Sequence, residues 1–207
     1  MENERGPQAG GAAGLEALEP LVLASGSPRR SEILRAVGWP FEATPADVDE
    51  SLHEGESPVA YVERLARAKA ETVAASRLFG LVLGADTTVV VDGQVVAKPT
   101  DEEDARRMLR LLSGRWHEVL TGVALVRAES GRALVAHERT RVRFAATSED
   151  EIDWHICTGD VLDKAGAYAV QGRAALFIQA IEGDYWNVVG LPVRLVYELA
   201  QRMRQEP

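Results

Sequence analysis

From Leu21 onward, apolar and polar positions divide the chain into short strands and amphipathic helices. Leu21-Val22-Leu23-Ala24 is an unbroken apolar run, the pattern of a buried strand. Ser25-Gly26-Ser27-Pro28 interrupts it. Ser27 is placed to cap a helix whose first position is Pro28, where the missing N–H costs nothing. Ile33, Leu34 and Val37 give this helix an apolar face, and Gly38 ends it. A polar, acidic loop follows over Asp47–Glu56. Ser57-Pro58 opens a second helix, with Val59, Val62, Leu65, Ala66 and Val73 at helical spacing to about Ser76. Leu81–Gly84 reads as another buried strand. Val89–Ala97 reads as a hairpin turning at Asp92-Gly93. Thr100–Glu103 has the form of a capping box. It opens a helix with Ala105, Met108, Leu109 and Leu112 inward, ended by Ser113-Gly114.

Two longer strands are predicted over His117–Arg127 and Leu134–Phe144. The second alternates, with Val142 and Phe144 on one face and arginines on the other. A capping box at Ser148–Glu151 starts a short helix that runs to Thr158-Gly159. Ala167–Val170 and Leu176–Ile181 are strand candidates. Gly183–Pro192 reads as core and turn. Pro192 opens a last helix with Val193, Val196, Tyr197 and Ala200 facing in. Helices and strands mix throughout, so the expected class is α/β: a mixed, twisted sheet with flanking helices. Two lobes around a cleft fit this pattern, although no linker marks a boundary.

Composition narrows the function. A chain of 207 residues buries a core without disulfide staples. Its one cysteine, Cys157, has no partner; it lies in a short helix with no base nearby and reads as a core thiol. No apolar run reaches the ~20 residues of a membrane span. Met1–Gly14 lacks the basic and apolar regions of a signal peptide. Residues 1–20 therefore read as a disordered tail ahead of one unit over 21–204, and the expected location is the cytoplasm. The formal net charge of −9 disfavours nucleic-acid polymers and membrane surfaces as partners. It leaves room for a small anion wherever cations gather locally.

Four segments offer chemistry. In Leu23–Arg30 a strand enters a small-residue loop and then a helix N-terminus, where free N–H groups and the helix dipole suit a phosphate. Arg29 and Arg30 stand in the first turn against the dipole, which an anion would justify. An ordinary capped helix with two solvated arginines fits the same residues. In Gly84-Ala85-Asp86-Thr87-Thr88 an acid follows a buried strand near its expected end, a position that lines ligand crevices in α/β sheets. Asp86 suits a Mg²⁺ ligand, a general base on water or a plain turn aspartate. Lys98, at the end of the hairpin, and Lys69, in the second helix, are within reach of a phosphate or else solvated surface. In Asp163–Gly172 small residues beside Lys164 and Gln171 form a tight wall or a compact strand-turn. Gln171, with donor and acceptors on one amide, suits a pyrimidine edge. His53, His117, His137 and His155 lack zinc-ligand spacing.

Taken in order, Leu23–Arg30, Gly84–Thr87, Lys98-Pro99, Leu112–Gly114, Asp163–Gly166 with Gln171-Gly172, and Val188–Pro192 closely resemble the Maf family of nucleotide pyrophosphatases. The resemblance covers about Leu21 to Gln201. It implies a cytoplasmic enzyme, frequently a homodimer, with an inosine-triphosphatase-like fold. It implies cleavage of nucleoside triphosphates between the α and β phosphates with Mg²⁺ or Mn²⁺, to clean nucleotide pools. By resemblance, Asp86 is the proton acceptor. Ser25, Arg29, Arg30, Lys69 and Lys98 hold the triphosphate, and Glu50 joins Asp86 at the metal, a role Asp47 or Asp49 could share. Arg29, Thr87 and Gln171 match the branch that acts on dTTP and UTP, with modified pyrimidine triphosphates as further candidates. The 7-methyl-GTP branch carries Ser-Pro-Trp-Arg and Gly-Ser-Asp-Gln instead. Ala169-Val170 departs from the Gly-Ile common in relatives. The competing readings are a 7-methyl-GTP pyrophosphatase and a non-catalytic nucleotide-binding regulator of septum formation.

Overall fold

Leu21, Val22 and Leu23 are buried together as β1 (Leu21–Leu23), one strand in from the edge of a mixed sheet. In this computed structural model, which describes residues 21–157, 159 and 161–205, β1 pairs in parallel with β2 (Glu42–Ala43) and β3 (Leu81–Val91). The expected tail over residues 1–20 lies outside the described residues. From β3 the sheet continues antiparallel through β5 (Trp116–Arg127), β6 (Ala133–Phe144) and β7 (Ile178–Glu182). β4 (Gln94–Val96) pairs with β3 off the main path, which completes seven strands. The helices are α1 (Pro28–Ala36), α2 (Pro58–Ala74), α3 (Glu102–Leu112), α4 (Glu149–Ile156), α5 (Tyr185–Val189) and α6 (Val193–Gln205). The expected mixed α/β architecture is the observed one. No described helix is long and apolar enough to cross a membrane.

The largest departure from the sequence reading lies in β3. Leu81–Gly84 and the first arm of the hairpin are one continuous strand of 11 residues. Asp86 therefore stands in mid-strand, opposite Gly122 of β5, rather than near a strand end. The polar run Asp86-Thr87-Thr88 hid this continuity, because its side chains are satisfied by tertiary partners that local pattern does not show. Hydrophobic clusters flank the polar run. Leu81, Leu83 and Ala85 belong to a core with α1 and α6, whereas Val89 and Val91 belong to one with α3 and α4. The polar stretch of β3 thus lies between two of the hydrophobic clusters built on this sheet.

Smaller corrections have local causes. Asp101, not Thr100, caps α3, its carboxylate accepting from the Asp104 N–H at 2.8 Å. Ser27 occupies the N-cap of α1 with Pro28 behind it, but its hydroxyl makes no capping bond. Ala167–Val170 is not a strand: a 3-10 turn over Ala165–Ala167 takes its place. A second 3-10 turn, Arg173–Phe177, delays β7 to Ile178. Gly183–Pro192 contains the short helix α5. In α6 the buried face is Val196, Leu199, Ala200 and Met203, and Tyr197 is exposed. Val37 is exposed at the C-cap of α1. Cys157 is an exposed thiol at the end of α4, not a core residue. The Ser148 capping box is present in both directions.

One packing contact aligns the site. Helix α2 lies so close on β3 and β5 that a Cβ on Gly84 would stand 2.1 Å from the Ala66 carbonyl oxygen, and one on Gly122 2.2 Å from that of Val62. Only glycine permits this approach. It brings Lys69, one helical turn along from Leu65 and Ala66, down onto the β3 strand two residues beyond Gly84.

Candidate active site

The Leu23–Arg30 segment folds as a loop from β1 into α1, and Ser25 is buried at its floor. The Ser25 Oγ accepts from the Ser27 N–H at 3.2 Å and from Arg30 Nη1 at 3.0 Å. Arg30 also donates from Nε to the Gly190 carbonyl at 2.8 Å and from Nη2 to Thr87 Oγ1 at 3.1 Å. Three of its five N–H donors are thus used to tie the α1 loop, β3 and the end of α5 together. Burial of the guanidinium pushes its pKa below the ordinary arginine value, with Asp86 opposing that effect.

Asp86 is 8% exposed. Its Oδ1 accepts from Lys69 Nζ at 2.6 Å, and among the described residues its Oδ2 accepts no hydrogen bond. Burial raises the Asp86 pKa above the ordinary value, against the opposing charges of Lys69 and Arg30. Lys69, itself buried, bridges to Glu50 Oε1 at 2.6 Å, and Lys98 Nζ lies 3.4 Å from Glu50 Oε2. Partial burial acts to raise the Glu50 pKa, but the hydrogen bond and charge of Lys69, with Lys98, outweigh it and hold the carboxyl below the usual range.

Glu50 reaches this cluster because its loop is pinned to α2. The Tyr61 hydroxyl donates to the Glu50 carbonyl at 2.9 Å, and Arg64 donates to the Ser51 carbonyl at 2.9 Å. Burial, then the charges of Asp86 and Glu50, push the Tyr61 hydroxyl up to about 12, so it stays protonated as a donor at neutral pH.

These groups border one cavity of about 380 Å³, together with Arg29, Thr87, Asp163, Lys164, Tyr168, Gln171 and Gly190. Every residue singled out by the resemblance, Ser25, Arg29, Arg30, Glu50, Lys69, Asp86, Thr87, Lys98 and Gln171, lines it. Asp47 and Asp49 do not; the Asp49 carboxylate accepts from the Ser51 N–H at 2.9 Å. Tyr168 forms the wall beside Gln171. It is held by a 2.7 Å hydrogen bond to His117, whose pKa burial lowers to about 4. Sequence reasoning missed Tyr61, which looks like ordinary helix core, and Gly190, which contributes only a backbone carbonyl and so leaves no side-chain signal.

Residues 20–203 match the family described as Maf-like protein. The chain belongs to the Maf family. Among relatives of this Maf chain, the dTTP/UTP pyrophosphatase of Symbiobacterium thermophilum is 55% identical, with 89% of this chain and 94% of the relative covered. The dTTP/UTP pyrophosphatase of Moorella thermoacetica is 53% identical, with 88% and 94% covered. The solved structure of the Staphylococcus aureus Ham1 protein aligns with a TM-score of 0.48 at 15% identity, over 90% of this chain and 99% of that one.

Members of the family imply a divalent cation. Among the described residues no group of three His, Cys, Asp or Glu is placed to hold a metal alone. Of the carboxylates that line the cavity, Glu50 and Asp86 are gathered on the Lys69 ammonium. Mg²⁺ is usually held by one or two carboxylates with substrate phosphates and water completing its shell. The pair in this Maf site fits a divalent cation whose shell is completed from outside the protein.

Proposed function

We infer that this chain is a nucleoside triphosphate pyrophosphatase that hydrolyses dTTP and UTP to the monophosphate and pyrophosphate. The observation that carries the inference is the convergence of Asp86, Lys69, Glu50, Lys98, Arg29 and Arg30 on one cavity, in a chain about half identical to enzymes named for that activity.

Asp86 accepts the proton of a water that attacks the α phosphorus. The bond from that phosphorus to the oxygen bridging to the β phosphate breaks, and the oxygen leaves with pyrophosphate. Proton transfer to a base of raised pKa suits operation near neutral pH. Arg29, Lys69 and Lys98 bind the triphosphate tail, which carries about four negative charges. Their present carboxylate partners hold the ammonium and guanidinium groups in place until phosphate oxygens replace them. Arg30 and Ser25 shape the floor on which the tail rests. Glu50 and Asp86 would hold Mg²⁺ or Mn²⁺, which would supply shielding for the charge of the leaving pyrophosphate. Gln171 reads the pyrimidine edge, and Arg29 and Thr87 share in substrate choice. Nucleotide-pool cleaning in the cytoplasm by a homodimer completes the reading and rests on the family resemblance.

A panel of nucleotides assayed for pyrophosphate release tests the assignment. The highest kcat/KM is expected for dTTP and UTP. Preference for 7-methyl-GTP would overturn the substrate class, and binding without turnover would favour a regulator of septum formation.

The pH profile is a second test. The base works deprotonated, so kcat/KM falls as pH falls through the Asp86 pKa of the free enzyme. Because that pKa is raised from 3.8, the acidic limb is expected above the position of an ordinary aspartate. A limb at or below 3.8 would remove Asp86 from the role.

A further inference from the structure

We propose that Thr121, buried behind the cavity, is a positioning residue: it takes up the Thr87 hydroxyl hydrogen and so makes Thr87 a fixed acceptor for the Arg30 guanidinium. The proposal rests on the pyrophosphatase reading for its substrate. It extends that reading to a residue that does not line the cavity.

The sheet register sets Thr87 of β3 directly opposite Thr121 of β5. Their Oγ1 atoms stand 2.9 Å apart, a hydrogen bond whose direction the neighbours decide. Each hydroxyl has one hydrogen to donate and two lone pairs that accept. Thr121 Oγ1 lies 3.1 Å from the Asn187 carbonyl, to which it can only donate. With that hydrogen spent, Thr87 donates to Thr121. The reverse arrangement would send the Thr87 hydrogen to the Gly190 carbonyl at 3.4 Å and leave the 3.1 Å contact unused. The shorter contact is the stronger one. The Gly190 carbonyl is also taken already, by Arg30 Nε at 2.8 Å.

A directed chain results. Arg30 Nη2 donates to Thr87, Thr87 to Thr121, and Thr121 to the Asn187 carbonyl. Bonds that run in one direction polarise and strengthen one another. The chain also closes on itself, because the Gly190 N–H donates to the same Asn187 carbonyl at 3.0 Å. Both paths from Arg30, through Nε and through Nη2, therefore end on the turn that closes α5. That turn is fixed in its place: the Asn187 amide donates to the Val119 carbonyl and to Thr140 Oγ1, both at 3.0 Å.

Removing the Thr121 hydroxyl thus does more than lose one bond. The released Thr87 hydrogen is left with the Gly190 carbonyl, where it competes with Arg30 Nε. Arg30 loosens at the floor of the triphosphate site.

Thr121→Val keeps the branched shape and removes only the hydroxyl. It is expected to raise the KM for UTP, and the calorimetric Kd for inorganic tripolyphosphate, about 3- to 10-fold, the range for one lost neutral hydrogen bond. Thr121→Ser, which keeps the hydroxyl and loses the methyl, is expected to stay within about twofold of the wild type on both measures. In a Thr87→Val background the effect of Thr121→Val should vanish, because the chain is already cut. If Thr121 only fills space, Thr121→Val leaves KM and tripolyphosphate binding unchanged, and the proposal falls. It falls too if the serine variant binds as weakly as the valine variant, or if the effects of the two valines multiply. Should Thr121→Val fail to fold, Thr121→Ala enters the same cycle in its place. A wild type that releases no pyrophosphate from UTP would overturn the pyrophosphatase reading, while tripolyphosphate binding still tests the role of Thr121 by itself.

Discussion

Asp86→Asn is expected to lower kcat for UTP hydrolysis about 10²- to 10⁴-fold, the usual contribution of a positioned general base. Asparagine is nearly isosteric, and its amide oxygen accepts from Lys69 as Oδ1 does at 2.6 Å. What it removes is the basic oxygen, Oδ2, which no described residue occupies. Thermal unfolding distinguishes lost chemistry from lost structure: the variant should melt cooperatively, with folding retained. Pyrophosphate release under saturating UTP is the measurement. Turnover at the wild-type rate would remove Asp86 from the role of base. The acidic limb of the pH profile should vanish in whatever activity remains, because the titrating group is gone.

Gly84→Ala is expected to be strongly destabilising and to impair catalysis with it. The added Cβ would stand 2.1 Å from the Ala66 carbonyl and 2.8 Å from the Ala70 nitrogen, both backbone atoms that no rotamer change can move. Overpacking of this kind costs about 3 kcal/mol. In a protein of this size that lowers the Tm by about 6–12 °C. The effect on catalysis follows from geometry. Helix α2 must rise off β3, and Lys69 rises with it, away from Asp86. Calorimetric unfolding and UTP hydrolysis should therefore both suffer, even below the melting temperature. A variant with wild-type Tm would show that the α2–β3 contact is looser than the structure has it.

Local patterns were most legible where a single element answers to a single rule. The helix over Glu102–Leu112 has its apolar residues at helical spacing and buries the four expected. The Ser148 capping box is reciprocal because Ser148 and Glu151 are three residues apart whatever the rest of the chain does. Pattern failed where a segment is satisfied from outside itself. Asp86-Thr87-Thr88 reads as a break in a strand, yet Thr87 is bonded to Thr121 and Arg30, and Asp86 to Lys69. Ala167–Val170 has the apolar content of a strand, but the preceding turn diverts its backbone to wall the cavity. Tyr197 lies at helical spacing with Val193 and is exposed because α6 presents a different arc to the sheet.

The motifs sufficed to name the family, and the residues they singled out line one cavity, because family membership is carried by residue types at set spacings along the chain. Their partnerships were invisible there. Lys69 and Asp86 are 17 positions apart, Lys98 and Glu50 are 48 apart, and Arg30 reaches Gly190 across 160. Those distances close only when α2 packs on β3 and β5 through Gly84 and Gly122, and when the loops from β1 and α5 meet over the sheet. Burial then does what composition could not. A chain with a formal charge of −9 keeps a cationic excess in one cavity, and burial raises the pKa of the aspartate within it against the opposing pull of Lys69 and Arg30, because low polarity and neighbouring charge act through space and not along the sequence.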